Sequence, residues 1–143
     1  MESIPRSQFE ILNILTLESE FKRLRQFDDS LEIKMDLNVL KTVALDSDPM
    51  PGDNRRTIVV DLRTTLSGNQ ENLLNIYSCD VLTVGVFVES GDGTLEKEKF
   101  ANINAPAIIY AFQREYISNL SQKAGLNIFL PPLNFVQMND AEK

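Results

Sequence analysis

The chain has 143 residues, of which 43% are hydrophobic and 24% charged, with six Gly and six Pro. That composition fits one globular domain with a single buried core and excludes collagen-like and low-complexity chains. Fourteen Lys and Arg against 21 Asp and Glu leave a net charge of −7, a field that repels phosphate backbones and argues against nucleic acid as a partner.

The opening stretch "MESIPRSQFEIL" carries an early Glu and lacks a basic region ahead of a long apolar run, and the chain holds no run long enough to span a bilayer. The expectation is a cytoplasmic protein without stable membrane insertion. In "FEILNILTLESEF", Phe9, Ile11, Leu15 and Leu17 fall in one phase and Leu12 and Ile14 in the other, which predicts a first strand. The segment "LEIKMDLNVLKTV" alternates Leu31, Ile33, Met35, Leu37 and Val39 with Glu32, Lys34, Asp36 and Asn38. A period of two means a strand with one buried and one wet face.

"RRTIVVDLRTTL" repeats that logic, with Ile58, Val60, Leu62 and Leu66 on one side and Asp61, Arg63 and Thr65 on the other. The fourth segment, "LLNIYSCDVLTVGVFV", is apolar nearly throughout and predicts a strand covered in part on both faces; Gly85 inside it suggests a bulge or bend. Turn-rich connections at Asp46–Asn54 and Ser67–Asn72 suit antiparallel neighbours.

After the turn "SGDGT", Ser90–Thr94, the period changes. "TLEKEKFANIN" predicts a short helix with a loose end. "NAPAIIYAFQREYISNLSQKAG" then predicts a helix of about twenty residues with Asn104 as N-cap, Pro106 in its first turn, Lys123 near its end and Gly125 just beyond. Ile108, Ile109, Phe112, Tyr116, Ile117 and Leu120 form its apolar stripe, and Ala105, Ala107 and Ala111 would let another surface come close. The expected architecture is α+β: a four-stranded antiparallel sheet followed by a long helix in two layers. The chain is read as a single domain, 1–143, with strands over about 8–90, a helical layer over about 94–125, and an apolar loop and short tail over 126–143.

Chemistry-bearing motifs are sparse. The chain has no His, the commonest general base and metal ligand, and its single Cys79 lies in an apolar strand and cannot form an internal disulfide. No enzyme, cofactor or metal is expected. Counted from Asp46, the positions where a calcium loop needs Gly and an acid are Pro51 and Thr57, so the Asp46/Asp48 cluster reads as a solvated turn. Arg114-Glu115 reads as surface charge, "SGDGT" as a plain turn, and Asn119-Leu-Ser121 as a chance match to a glycosylation acceptor inside a helix.

What remains is an apolar surplus, concentrated in "LNIFLPPLNF", Leu126 to Phe135. Its residues suit either core and subunit interface or a groove for apolar polypeptide segments. The run "NAPAIIYAFQREYISNLSQKAGLNIFLPPLNF" resembles the signature region of the bacterial protein-export chaperone family SecB, in Pro106, Arg114-Glu115, Ile117, Gly125 and the ending Leu130, Pro132, Asn134 and Phe135. "CDVLTVGVF" is similar to the family's fourth strand, and "FEILNILTLESEF" to its first.

The resemblance implies a homo-oligomeric chaperone, a dimer of dimers without catalysis or cofactor. Such a protein binds unfolded or precursor polypeptides in apolar grooves and passes them to the translocation ATPase SecA. It implies client contacts at Ile128, Phe129, Leu130, Leu133 and Phe135, a SecA-facing acidic surface at Glu18 and Asp80, and subunit contacts at Cys79, Val81, Thr83, Phe112 and Tyr116. Two departures stand out: Lys22 occupies a position where the family commonly has an acid, and only "VQMNDAEK" follows Phe135 where the family adds a helix and polar tail. The alternative within the family is an adaptor or chaperone for a dedicated client such as an antitoxin, not coupled to export.

Overall fold

The computed structural model describes residues 8–89 and 96–136; the expected turn at Ser90–Thr94 and most of the polar tail lie outside the described residues. Four strands, β1 (Phe9–Arg23), β2 (Lys34–Ser47), β3 (Thr57–Gln70) and β4 (Leu73–Glu89), form one antiparallel sheet in the order β1-β4-β3-β2. Strands β2, β3 and β4 make a meander. The chain from β1 crosses to the opposite edge, so β1 and β2 are the two edge strands. A short helix α1 (Lys97–Lys99), a π-helical turn (Phe100–Asn104) and the long α2 (Ala105–Lys123) follow, with α2 lying over β3 and β4. This is the expected α+β two-layer arrangement.

The core fills the space between α2 and the inner sheet face. Ile58, Val60 and Leu62 of β3, Val81 and Phe87 of β4, and Ile109 and Ile117 of α2 are almost wholly excluded from solvent. Each such side chain contributes about 1.5–3 kcal/mol on burial. One end is closed by three aromatics: Phe9 stacks on Phe100 at 3.9 Å between centroids, and Phe87 meets Phe100 edge-on at 5.4 Å.

Several local expectations are corrected by tertiary pairing. The connection Ser67–Asn72 shrinks to Glu71 and Asn72, because Ser67, Gly68 and Asn69 pair with Asp36, Met35 and Lys34. Pairing with a neighbouring strand outweighs the turn preference of Ser, Gly and Asn. Strand β2 starts at Lys34, leaving Leu31 outside it and half exposed.

In β1, bulges between Ile11 and Asn13 and between Thr16 and Glu18 reset the side-chain phase. Leu15 pairs with Val84 on the open sheet face, while Ile11 and Ile14 pair with Phe87 and Gly85 on the helix side. The extra residues therefore sit on β1 and not at Gly85. Gly85 serves close helix approach instead, since a Cβ there would lie 2.7 Å from the Phe87 ring and 2.8 Å from Ile109 Cδ1. Gly85→Val is expected to cost about 1–3 kcal/mol through overpacking, measured by urea unfolding.

The N-terminal boundary of the long helix also differs. Asn104 has helical dihedrals and makes no side-chain cap, because the π-helical turn feeds directly into α2. Pro106 lies in the first turn and Gly125 just past the last, as expected. The inward stripe runs through Ala105, Ile109, Gln113, Ile117 and Ser121, whereas Phe112 of the predicted stripe turns outward, as do Ala107 and Ala111, and Tyr116 reaches sideways over β1.

Candidate functional site

The apolar stretch after α2 is held against the fold by specific polar contacts. Gly125 adopts φ +75°, the left-handed conformation that reverses the chain at a helix end and strains any residue with a Cβ. Leu126 N donates to Ser121 O at 2.8 Å, and Ile128 N donates to Ser121 Oγ at 3.2 Å. Ser121 Oγ in turn donates to Ser118 O at 2.9 Å. Farther along, Tyr110 OH donates to Pro131 O at 2.6 Å, and the Phe135 ring meets the Tyr110 ring edge-on at 5.9 Å. Pro131 and Pro132 fix φ between these anchors, so the segment is a stiff wall.

This anchoring sorts the apolar residues. Ile128, Leu130 and Phe135 are about 95% buried, Leu133 is partly buried, and Phe129 is 72% exposed. Between the wall and the start of β2 runs a groove of about 310 Å³ lined by Ile33, Met35, Tyr77, Leu126, Ile128 and Phe129. Of the five expected client contacts, Phe129 and Ile128 line this groove, while Leu130 and Phe135 belong to the core. Ile33, Met35 and Tyr77 form the facing side. Their alternation marked Ile33 and Met35 as buried-face residues, yet nothing local showed that α2 would leave that end of β2 uncovered.

Glu18 and Asp80 lie together on the open face of the sheet, on either side of Arg63. Arg63 Nη1 donates to Asp80 at 2.8 Å and Nη2 to Glu18 at 3.0 Å. The hydrogen bonds to Glu18, first, and to Asp80 raise the hold of Arg63 on its proton. A shallow concavity of about 370 Å³ beside them is lined by Glu20, Asp36, Asn38, Ser67 and Ser78. Lys22 lies 3.6 Å from Glu20, with both side chains well exposed.

The five residues expected at subunit contacts separate into two groups. Cys79, Val81 and Thr83 face α2 and are buried within the chain, whereas Phe112 and Tyr116 are 53% and 36% exposed. Tyr116 OH donates to Ser19 Oγ at 2.8 Å beside a shallow groove lined by Ile14, Thr16, Phe112 and Asn119. Asp46 and Asp48 do not share the expected turn: Asp46 lies in β2 and pairs with Lys97, while Asp48 lies just beyond the strand and pairs with Arg56, each at 2.9 Å. Arg114 stands over the Tyr110 ring at 6.0 Å.

Burial, reinforced by the nearby charge of Asp80, pushes the Cys79 thiol up to about 11. The folded protein is expected to resist thiol reagents at pH 8 and to label only on unfolding. Because the folded thiol ionises later than the unfolded one, its stabilising contribution is complete below pH 9 and is lost as pH rises towards about 11. Cys79→Ala should therefore lose less stability than wild type across that window, as read by urea unfolding at each pH.

Comparison with known proteins gives a consistent result. Residues 32–143 match the family model described as preprotein translocase subunit SecB. The protein-export protein SecB of Halorhodospira halophila is 29% identical over 93 residues, covering 64% of this chain and 52% of its own length. The match thus spans about half of that relative. Among solved structures, a SecB-like chaperone of Mycobacterium tuberculosis, in complex with a peptide from the HigA1 antitoxin, superimposes with a TM-score of 0.69 at 18% identity. That alignment covers 89% of this chain and 91% of the other. At that identity the likeness is one of fold.

Proposed function

The chain belongs to the SecB family, and from that premise we propose that it is a chaperone that holds extended apolar polypeptide segments in the groove between β2 and the post-helix wall. The observation that carries this reading is Phe129, a large aromatic 72% exposed on a stiff wall beside a groove lined by Asn127 and otherwise by apolar and aromatic side chains. Such a surface offers contact of about 25 cal/mol per Å² without demanding a particular side chain, and a rigid wall loses little entropy on binding. The absent His and the buried Cys79 favour holding over chemistry.

The client favoured by this reading is a dedicated one, such as an antitoxin, with no obligatory link to export. It is supported by analogy with the mycobacterial SecB-like chaperone, whose fold is similar and whose structure contains an antitoxin peptide. The second reading is delivery of precursor polypeptides to SecA. It is favoured by the family description and by the acidic open face around Glu18, Glu20 and Asp80, although Arg63 partly neutralises that face.

Purified protein is expected to capture a purified antitoxin segment at stoichiometric amounts. Phe129→Ser should weaken that capture by about tenfold, the order expected for losing one exposed aromatic anchor, with unfolding unchanged. Wild-type protein that captures neither unfolded test chains nor a purified antitoxin segment would sink the proposal. Between the two readings, tight binding of one antitoxin segment with indifference to generic unfolded chains supports the dedicated client. Binding of SecA and several precursors supports export.

A further inference from the structure

We propose that Arg23, at the end of β1, is a positioning residue for the polypeptide groove, an inference that rests on the function proposed above. Its guanidinium is engaged on several sides: Nη1 donates to Ala124 O at 2.6 Å, Nε to Leu24 O at 2.7 Å and Nη2 to Arg25 O at 3.2 Å. The same group stands 5.1 Å above the Phe27 ring. One side chain therefore joins the last turn of α2, the end of β1 and the loop that leads to β2.

Its location connects these contacts to the groove. Ala124 is the C-cap of α2, and the next residue, Gly125, takes the positive φ from which the Leu126–Phe129 wall departs. Across the sheet Arg23 pairs with Tyr77, which lines the groove. Leu24 N, donating to Ile76 O at 2.8 Å, fixes the loop at the same corner. A cation at the carbonyl end of a helix also interacts favourably with the helix dipole.

The wall has two further anchors, at Ser121 and Tyr110, but both act between α2 and the wall itself. Arg23 ties the hinge to the sheet, whose Ile33, Met35 and Tyr77 form the facing side of the groove. Its hydrogen bonds set the angle at which the wall leaves the helix, and so the separation of Phe129 and Leu126 from that side. Lysine can keep the charge but not the planar fork that reaches separate carbonyls.

The test uses the full chain with Arg23→Ala, Arg23→Lys and a stability control, Ile58→Val, placed in β3 away from the wall. The probes are a synthetic extended antitoxin segment and a reduced, carboxymethylated and therefore permanently unfolded protein, and each variant is compared on the probe that the wild-type protein captures. Arg23→Ala is expected to weaken probe binding about tenfold and to raise amide exchange by a similar factor at Leu126 and Ile128, with β3 and β4 unchanged. Arg23→Lys should fall between wild type and Arg23→Ala. Equal loss of binding in Ile58→Val, unchanged binding in Arg23→Ala, or unchanged exchange at the wall would each overturn the proposal. If wild-type protein captures neither probe, the chaperone reading fails and the groove role falls with it. The exchange measurement then still decides whether Arg23 clamps the wall.

Discussion

Alanine at Phe135 is expected to lower stability by about 3 kcal/mol, whereas alanine at Phe129, six residues earlier on the same wall, should cost less than about 0.5 kcal/mol. The two Phe residues share a segment and differ in burial. Phe135 is 4% exposed and its ring contacts Tyr110, so truncation removes an aromatic contact and leaves a cavity in the core. Phe129 is 72% exposed and loses little by shortening.

Function should be lost in both variants, for different reasons. Phe129→Ala is expected to lose polypeptide capture with its urea midpoint intact, while Phe135→Ala should lose both because the wall detaches. Urea unfolding monitored alongside probe binding checks the pair. Equal destabilisation by the two variants would place Phe129 in the core and remove it from the groove.

Gln113→Ala should destabilise by about 3–5 kcal/mol, a large share of the 5–15 kcal/mol available to a domain of this kind. Gln113 is 1% exposed in the middle of the inward stripe of α2. Its Oε1 accepts a hydrogen bond from Thr64 Oγ1 at 2.5 Å, and its Nε2 donates to Leu62 O at 2.8 Å and Thr83 Oγ1 at 3.1 Å. One amide therefore satisfies polar groups from both central strands. Alanine would leave the buried hydroxyls of Thr64 and Thr83 without this partner and open a cavity as well.

Gln113→Leu separates the two effects: it refills most of the volume, so the remaining loss reports the stranded hydroxyls at about 1–3 kcal/mol each. The triple variant Gln113→Leu, Thr64→Val, Thr83→Val should recover much of that loss, since both hydroxyl partners are then replaced by apolar groups and only backbone carbonyls lose the Gln113 amide. Urea unfolding of the single and triple variants checks this. No recovery would show that packing outweighs hydrogen bonding here.

Much of the fold could be read from local pattern. The alternation of Ile58, Val60, Leu62 and Leu66 specified β3 and its buried face, and Pro106 and Gly125 bracketed α2. These signals are legible because side-chain direction in a strand or helix follows from backbone period alone. β1 resisted the same reading, since its two bulges depend on pairing with β4 and exchange the faces of Leu15 and Ile14. The turn residues Ser67 to Asn69 misled for a related reason: β2 was available to pair with them.

For the candidate site, the sequence by itself determined that a stiff apolar segment follows the long helix, because two prolines and a helix-ending glycine are local instructions. It also determined that Arg63 lies on a wet strand position. Only the tertiary structure decided which apolar residues of that segment face inward, and that Ile33, Met35 and Tyr77 stand opposite Phe129. Only it placed Arg63 between the two carboxylates and Gln113 between Thr64 and Thr83, a partner 49 positions away in the chain. Periodicity states that a face is buried. What covers it depends on where α2 stops over the sheet, and that is settled by packing between residues far apart in sequence.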